Sequence, residues 1–236
     1  MENNIHGVLQ YIMVFPSVYD MTNASMTTVR KQHFWEYFSG ATLNSRWTTA
    51  LSASGTATIK DEADGGMSLT SGTSAYNISR IDFGNAGNTG SPTYQTSHGL
   101  FSPTGHEWIA VFKWVSGATS LTTIGLTGGD GDFGNYQSGF SAILVDKSGN
   151  TIKQKRNTGT LSLTLGTVDT NWHSAKNTLS GGTLATSIDG VLSGTGYVKE
   201  TSGMPTVKSA PFFSVYATGT AGGAESRLKY FEAYNT

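Results

Sequence analysis

A chain of 236 residues with 13% charged side chains, 30 glycines, no cysteine and a net charge of −1 suits one large β sandwich or two small domains. The charged share is about half the roughly 25% usual for soluble domains, and glycine is nearly double its roughly 7% norm, so many short strands with hydroxyl-rich faces are expected. The near-neutral charge excludes a polyanion footprint for nucleic acid, and the missing thiols exclude disulfides, thiolate metal sites and a cysteine nucleophile.

Residues 1–30 differ in texture from the rest of the chain. Val8, Leu9, Tyr11, Ile12, Val14 and Phe15 form an apolar, β-rich stretch. The segment ahead of it carries Glu2 and no Lys or Arg. The run is broken by Gln10 and has no small-residue cleavage site, so neither a signal peptide nor a membrane span is expected. Such a strand must be paired or covered. Two options stand open: an added strand on its own domain, or an assembly arm that pairs with a neighbouring subunit. Residues 22–33 could form a turn or two of helix, with Met26, Val29 and His33 on one face.

From Phe34 onward short apolar runs alternate with Gly, Asn, Asp and Ser. Strands are predicted at 34–38, 56–60, 66–70, 75–83, 107–115, 121–126 and 138–146. Further strands are predicted at 151–156, 160–165, 172–179, 183–188, 211–217 and 227–234. Asp64-Gly65-Gly66, Lys147-Ser148-Gly149-Asn150 and Asp189-Gly190 supply turn residues that tolerate positive φ. Ile143 to Ile152 is the clearest hairpin. No segment after residue 40 sustains a 3.6-residue period, so almost no helix is expected there.

Sites can be weighed on the same pattern. A retaining glycosidase needs two carboxyl groups about 5–5.5 Å apart, which alternate positions on one strand would supply. No such run exists. Glu62-Ala63-Asp64 passes into glycine and reads as a turn, and Glu225 and Glu232 stand isolated. No Gly-x-Ser-x-Gly elbow is present, and no histidine pair has zinc-ligand spacing. His173 follows a tryptophan in a strand motif and reads as structural. His98 and His106 flank a Gly/Pro loop and are expected to be exposed. The loop 128–135 is the best metal candidate, with Asp130, Asp132 and Asn135 as hard oxygen ligands for calcium; the competing reading is a plain Asp/Gly turn.

Sugar recognition would draw on exposed aromatics, and Trp108, Trp114, Tyr94, Phe133 and Tyr136 are available. Trp108 and Trp114 share one side of a predicted strand, so burial in a core competes with a stacking role for both. Phe133 and Tyr136, in the Asp/Gly loop, are better placed for exposure. The ligand-binding candidates are therefore Phe133, Tyr136, Trp108 and Tyr94.

Three segments carry a family resemblance. The first is Phe34-Trp35-Glu36-Tyr37-Phe38-Ser39-Gly40 with Leu43 and Trp47. The second is Trp172-His173-Ser174, then Gly181-Gly182-Thr183, then Ser187-Ile188-Asp189-Gly190-Val191-Leu192. The third is Leu228-Lys229-Tyr230-Phe231-Glu232-Ala233-Tyr234. Their order over residues 34–236 resembles the concanavalin A-like lectin/glucanase jelly roll, especially its laminin-G-like branch. The resemblance implies an all-β, two-sheet antiparallel jelly-roll sandwich over residues 31–236, with 1–30 as an N-terminal arm. It also implies a last strand lying near the first, and rim loops of the kind that hold calcium.

In texture, including the Asn-Thr ending, the chain resembles structural proteins of marine viruses that infect bacteria or archaea. The expectation is a non-catalytic structural or interaction protein. It would be a virion or surface-assembly subunit that forms homo-oligomers or docks on a capsid or tail partner. The alternative is a lectin-like module for cell-surface glycans, with a glycoside hydrolase third.

Overall fold

Fifteen strands and no helix occur among the described residues of a computed structural model, several of the strands with the period-2 alternation of inward and outward side chains that the sequence shows. Those residues are 33–52, 54–60, 65–83, 101–102, 104–127, 140–155, 164–181, 183–192, 209–219 and 223–236. All of them fall in the unit Lys31–Thr236. The expected arm with Val8, Leu9, Tyr11, Ile12, Val14 and Phe15 lies outside them. So do residues 22–32 of the expected helical turn, whose last residue, His33, instead opens the first strand by pairing with Tyr234, and so do the loop residues Asp130, Asp132, Phe133, Asn135 and Tyr136, and Tyr94.

The early strands are β1 (His33–Tyr37), β2 (Trp47–Ala50), β3 (Thr56–Lys60), β4 (Gly66–Thr70) and β5 (Ile78–Phe83). The middle ones are β6 (Gly105–Ser116), β7 (Ser120–Thr127), β8 (Phe140–Asp146), β9 (Thr151–Lys155) and β10 (Thr164–Gly166). The late ones are β11 (His173–Ser180), β12 (Thr183–Ile188), β13 (Val191–Leu192), β14 (Ala210–Ala217) and β15 (Glu225–Asn235). They form two antiparallel sheets. One has eight strands in the order β13-β12-β11-β6-β15-β4-β3, with β1 also on β15; the other has seven in the order β10-β9-β8-β7-β14-β5-β2.

Strands β3, β4 and β12 coincide with their predicted spans. Strand β2 has no predicted counterpart: Trp-Thr-Thr-Ala offers little apolar signal, and only pairing with β5 makes it a strand. The β8–β9 hairpin forms as predicted, with Asn150 at φ 51° closing its turn. The β12–β13 turn has positive φ at both central residues, Asp189 and Gly190, the geometry that matches strand twist.

Between the sheets, β6 contributes Trp108, Ala110 and Phe112, and β15 contributes Leu228, Phe231 and Ala233. Facing them are Ile124, Leu126, Ile143, Val145, Phe213 and Val215 from the other sheet. Trp108 is fully buried and stacks on Phe231 with centroids 5.8 Å apart. Its indole Nε1 donates to the Ser141 carbonyl at 2.8 Å, crossing from one sheet to the other. Polar bonds also cross between Thr122 and Ser226 (2.7 Å) and from Gln154 to Thr186 (2.8 Å).

Strand β15 organises the eight-stranded sheet. Its first part, Glu225 to Leu228, pairs with β4, and Tyr230 to Tyr234 pairs with β1. Against β6 the register slips between Leu228 and Tyr230, so Lys229 is a bulge residue at the change of partner. The Phe38 amide donates to the Lys229 carbonyl at 3.1 Å. Gly66, at φ 103°, abuts this bulge, and a Cβ there would sit 2.9 Å from the Leu228 carbonyl oxygen. Only glycine meets both demands.

Candidate functional site: the outer face of the eight-stranded sheet

The opening motif divides by strand alternation. Phe34 and Phe38 turn inward, packing with Trp47 and Phe83. His33, Trp35 and Tyr37 are left on the outer face. Trp35 is 53% exposed and Tyr37 59%, high values for aromatics this large.

The register lines them up with the outward residues of β15: His33 with Tyr234, Trp35 with Glu232, and Tyr37 with Tyr230. On the far side of β15, strand β6 brings Glu107, Ile109 and Val111 beside Tyr234, Glu232 and Tyr230. Strand β11 then adds Lys176 and Thr178. Three aromatic rings form a continuous run, with Tyr37 and Tyr230 centroids 4.5 Å apart and Trp35 and Tyr37 6.4 Å apart.

Two carboxylates hold the polar part. Glu232 accepts from the Tyr230 hydroxyl at 2.6 Å and bonds the His33 ring nitrogen at 2.8 Å. Glu107 accepts from Thr178 at 2.8 Å, from the Tyr234 hydroxyl, and pairs with Lys176 at 2.7 Å. Burial works to raise the Glu107 carboxyl, but bonds from Lys176, Tyr234 and Thr178 outweigh it and hold the group below the usual carboxylate range. Tyr234 is pushed up to about 12 by burial and by its bond to Glu107. Burial and the bond to Glu232 likewise push the Tyr230 phenol up. Both phenols therefore stay protonated donors at neutral pH.

Beyond Tyr230 the same face turns basic. Arg227 registers opposite Lys113 and bonds Glu225 at 3.0 Å. Trp172, just ahead of β11, lies under two ammonium groups, Lys229 Nζ at 5.3 Å and Lys113 Nζ at 5.8 Å from its centroid. Next to it His173 bonds Asp189 at 2.7 Å and Asp169 at 3.0 Å, clamping the segment before β11 to the β12–β13 turn. Burial lowers the His173 ring, yet these two carboxylates outweigh it and raise it overall.

The seven-stranded sheet carries a different pair on its outer face. Arg80 and Asp82, two apart on β5, are nearly fully buried and joined at 2.5 Å. Burial, only partly offset by Arg80, pushes the Asp82 carboxyl up to about 6. The Arg80 guanidinium carbon lies 6.0 Å from the Phe212 ring centroid.

Several sequence expectations need correction. Trp108, a ligand-binding candidate, is core: position 108 falls on the inward side of a central strand, where no sugar reaches it. Trp114 shares that side, at the rim, donating to Ser120 at 3.1 Å. His106 is buried rather than exposed, because the strand begins at Gly105, ahead of the predicted start, and 106 faces inward. Glu232 is not isolated, and Glu225 bonds Ser68 and Arg227. The calcium candidate loop lies outside the described residues, among which no group of three His, Asp or Glu side chains is placed to hold a metal ion.

Comparison with solved structures decides the fold. The chain superposes on arcelin-5, a lectin-like defense protein from Phaseolus vulgaris, with a TM-score of 0.54 at 10% identity, over 87% of this chain and 98% of that one. The fold is the concanavalin A-like jelly roll. The carbohydrate recognition domain of Emp47p matches with a TM-score of 0.56 at 12% identity, over 86% of this chain and 95% of that one. The Crh5 transglycosylase matches with a TM-score of 0.57 at 14% identity, over 87% and 85%. No protein-family model matches the sequence, and no curated protein does.

Proposed function

We propose that this jelly roll is a non-catalytic glycan-recognition domain whose platform is the outer face of the eight-stranded sheet. The observation that carries this reading is the exposure of Trp35 and Tyr37 beside Tyr230, with Glu232 and Tyr234 alongside. Aromatic faces cover the C–H side of a sugar ring, and carboxylate and phenol groups accept and donate to its hydroxyls. Folds of this class include a lectin-like protein and a carbohydrate recognition domain, which supports the reading, and also a transglycosylase. Glu107 and Glu232 lie on adjacent strands of one face, and both are engaged by neighbours, Glu107 by Thr178, Tyr234 and Lys176 and Glu232 by Tyr230 and His33, which supports a binding role over a catalytic one.

The test is a glycan array probed with the full chain, with and without EDTA, the EDTA arm reporting on calcium at Asp130, Asp132 and Asn135. Trp35→Ala with Tyr37→Ala is expected to weaken binding at least about tenfold while changing stability by about 0.5 kcal/mol or less per site, since both side chains are exposed. Retained binding by a folded double variant, or no glycan bound by the parent, removes the reading.

A second reading is assembly: a virion or surface subunit that meets copies of itself or a capsid or tail partner. Its support is that the exposed aromatics sit on β1, a short strand paired only with β15 among the described residues. Light scattering across a hundredfold range of concentration tests it, and a monomer throughout removes it.

A further inference from the structure

We propose that His173 is a pH-sensitive latch: its charged ring ties the segment 167–172 to the β12–β13 turn, and the neutral ring keeps its tie to Asp189 and lets Asp169 go. The latch is independent of what the platform binds.

The charge requirement comes from valence. Nδ1 of the ring lies 2.7 Å from Asp189 Oδ2, and Nε2 lies 3.0 Å from Asp169 Oδ1. Carboxylate oxygens only accept, so both nitrogens have to donate, and only an imidazolium carries two N–H groups. In a neutral ring one nitrogen turns a lone pair on a carboxylate within hydrogen-bond distance, and that contact opens. Neither carboxyl supplies the missing proton. The Asn171 amide, with help from His173, holds Asp169 below the usual carboxylate range. Burial works to raise Asp189, but bonds from His173 and the Ser174 amide outweigh it and hold it low as well.

The two ties differ in what else holds them. Asp189, at φ 51° in the turn, donates its amide to the Ser174 carbonyl at 2.8 Å, and its Oδ1 accepts from the Ser174 amide at 2.7 Å. These bonds do not depend on the charge of His173, so Asp189 stays beside Nδ1. Asp169 takes a bond from the Asn171 amide at 2.6 Å, inside its own segment. Among the described residues, only His173 fastens its carboxylate to a strand. The remaining proton therefore sits on Nδ1, and the Nε2 contact is the one lost. Val168 is buried in the core, so release is confined to residues 169–172. That stretch ends in Trp172, whose ring lies under the Lys113 and Lys229 ammonium groups. The latch thus bears on how the basic end of the outer face is held.

The other groups around the ring leave the two carboxylates in control. Phe112 of β6 registers opposite His173, and its ring, 5.8 Å away, brings no charge. Of the cations on neighbouring positions, Lys113 and Lys229 stand over Trp172, and Lys176 pairs with Glu107 at 2.7 Å. On β8, packed against β11 from the other sheet, Asp146 pairs with Lys153 at 3.1 Å. Burial lowers the ring, the carboxylates outweigh it, and the net shift is upward from 6.5. The stability that the closed latch contributes is fully present below 6.5 and is lost as pH rises through the folded value.

The experiment follows the His173 ring nitrogens and the backbone amides of the full chain by NMR from about pH 5 to about pH 9, the ring being assigned by its loss in His173→Gln. The midpoint is expected above 6.5, and the neutral ring is expected to carry its proton on Nδ1. The amides of Asn171 and Trp172 should shift with the same midpoint, while that of Val215 in the core stays fixed. Asp169→Asn is expected to lower the midpoint by about half a pH unit or more. A midpoint at or below 6.5, a neutral ring protonated on Nε2, or an Asn171 amide that ignores the titration overturns the latch. So does an Asp169→Asn variant that titrates like the parent. Should that variant fold poorly, the tautomer and amide readouts of the parent decide alone.

Discussion

Replacing Trp108 by Ala is expected to destabilise the domain by about 3–5 kcal/mol. The side chain is fully buried, stacked on Phe231, and spans the gap between sheets to reach the Ser141 carbonyl. Its neighbours belong to two hydrogen-bonded sheets whose spacing cannot close over the void, so little of the cavity collapses. For a domain of this size the loss is about 6–20 °C in melting temperature. Trp108→Phe refills most of the volume and forfeits the indole donor, and should cost markedly less. Urea unfolding of the two variants checks the order, and an alanine variant within about 1 kcal/mol of the parent would show that the sheets can close.

Replacing Arg80 by Met is expected to cost about 3–5 kcal/mol at pH 8, because it leaves the Asp82 carboxylate buried without its cation. The sign with pH comes from the raised carboxyl. A carboxyl whose folded pKa lies above its unfolded value contributes stability fully present below the unfolded value of 3.8, and loses it as pH rises through the folded value. In the parent that loss accumulates between 3.8 and the folded Asp82 value of about 6 and levels off above it. Without Arg80 the folded value climbs further, so the deficit of the variant grows with pH and nearly vanishes by about pH 4, where Asp82 is protonated in both folded proteins and the unfolded chains titrate alike. Stability of parent and variant measured at several pH values tests this. A deficit as large at pH 4 as at pH 8 would mean that the loss comes from packing on Phe212 and not from charge.

Both residues show what was legible in advance and what was not. The strand pattern around Trp108 was readable from alternation, and Trp108 and Trp114 do share a side as expected. Which side is core depends on the partner sheet, and nothing local marks it. The pair Arg80 and Asp82 carries opposite charges two residues apart in an alternating run, a signal present in the sequence and easily read as a solvated face. Its burial depends on the rest of the fold.

The platform is a similar case. Phe-Trp-Glu-Tyr-Phe could be read as a strand with two aromatic faces, and its neighbourhood to the last strand was anticipated. Glu232 nevertheless looked isolated. Its partner His33, and the adjoining pair of Glu107 and Tyr234, reach it only through three strands from distant parts of the chain.

The sequence by itself determined the all-β class, most strand positions and the hairpin turns, because alternation and positive-φ residues act over a few neighbouring residues. It also excluded thiol chemistry outright. Only the tertiary structure decided which tryptophans are buried and which are presented. It also decided that Lys229 is a bulge aimed at Trp172, and that two glutamates share a face. Those outcomes rest on cross-strand register, where a shift of one residue exchanges the two faces of a strand, and register is set by long-range pairing rather than by local composition.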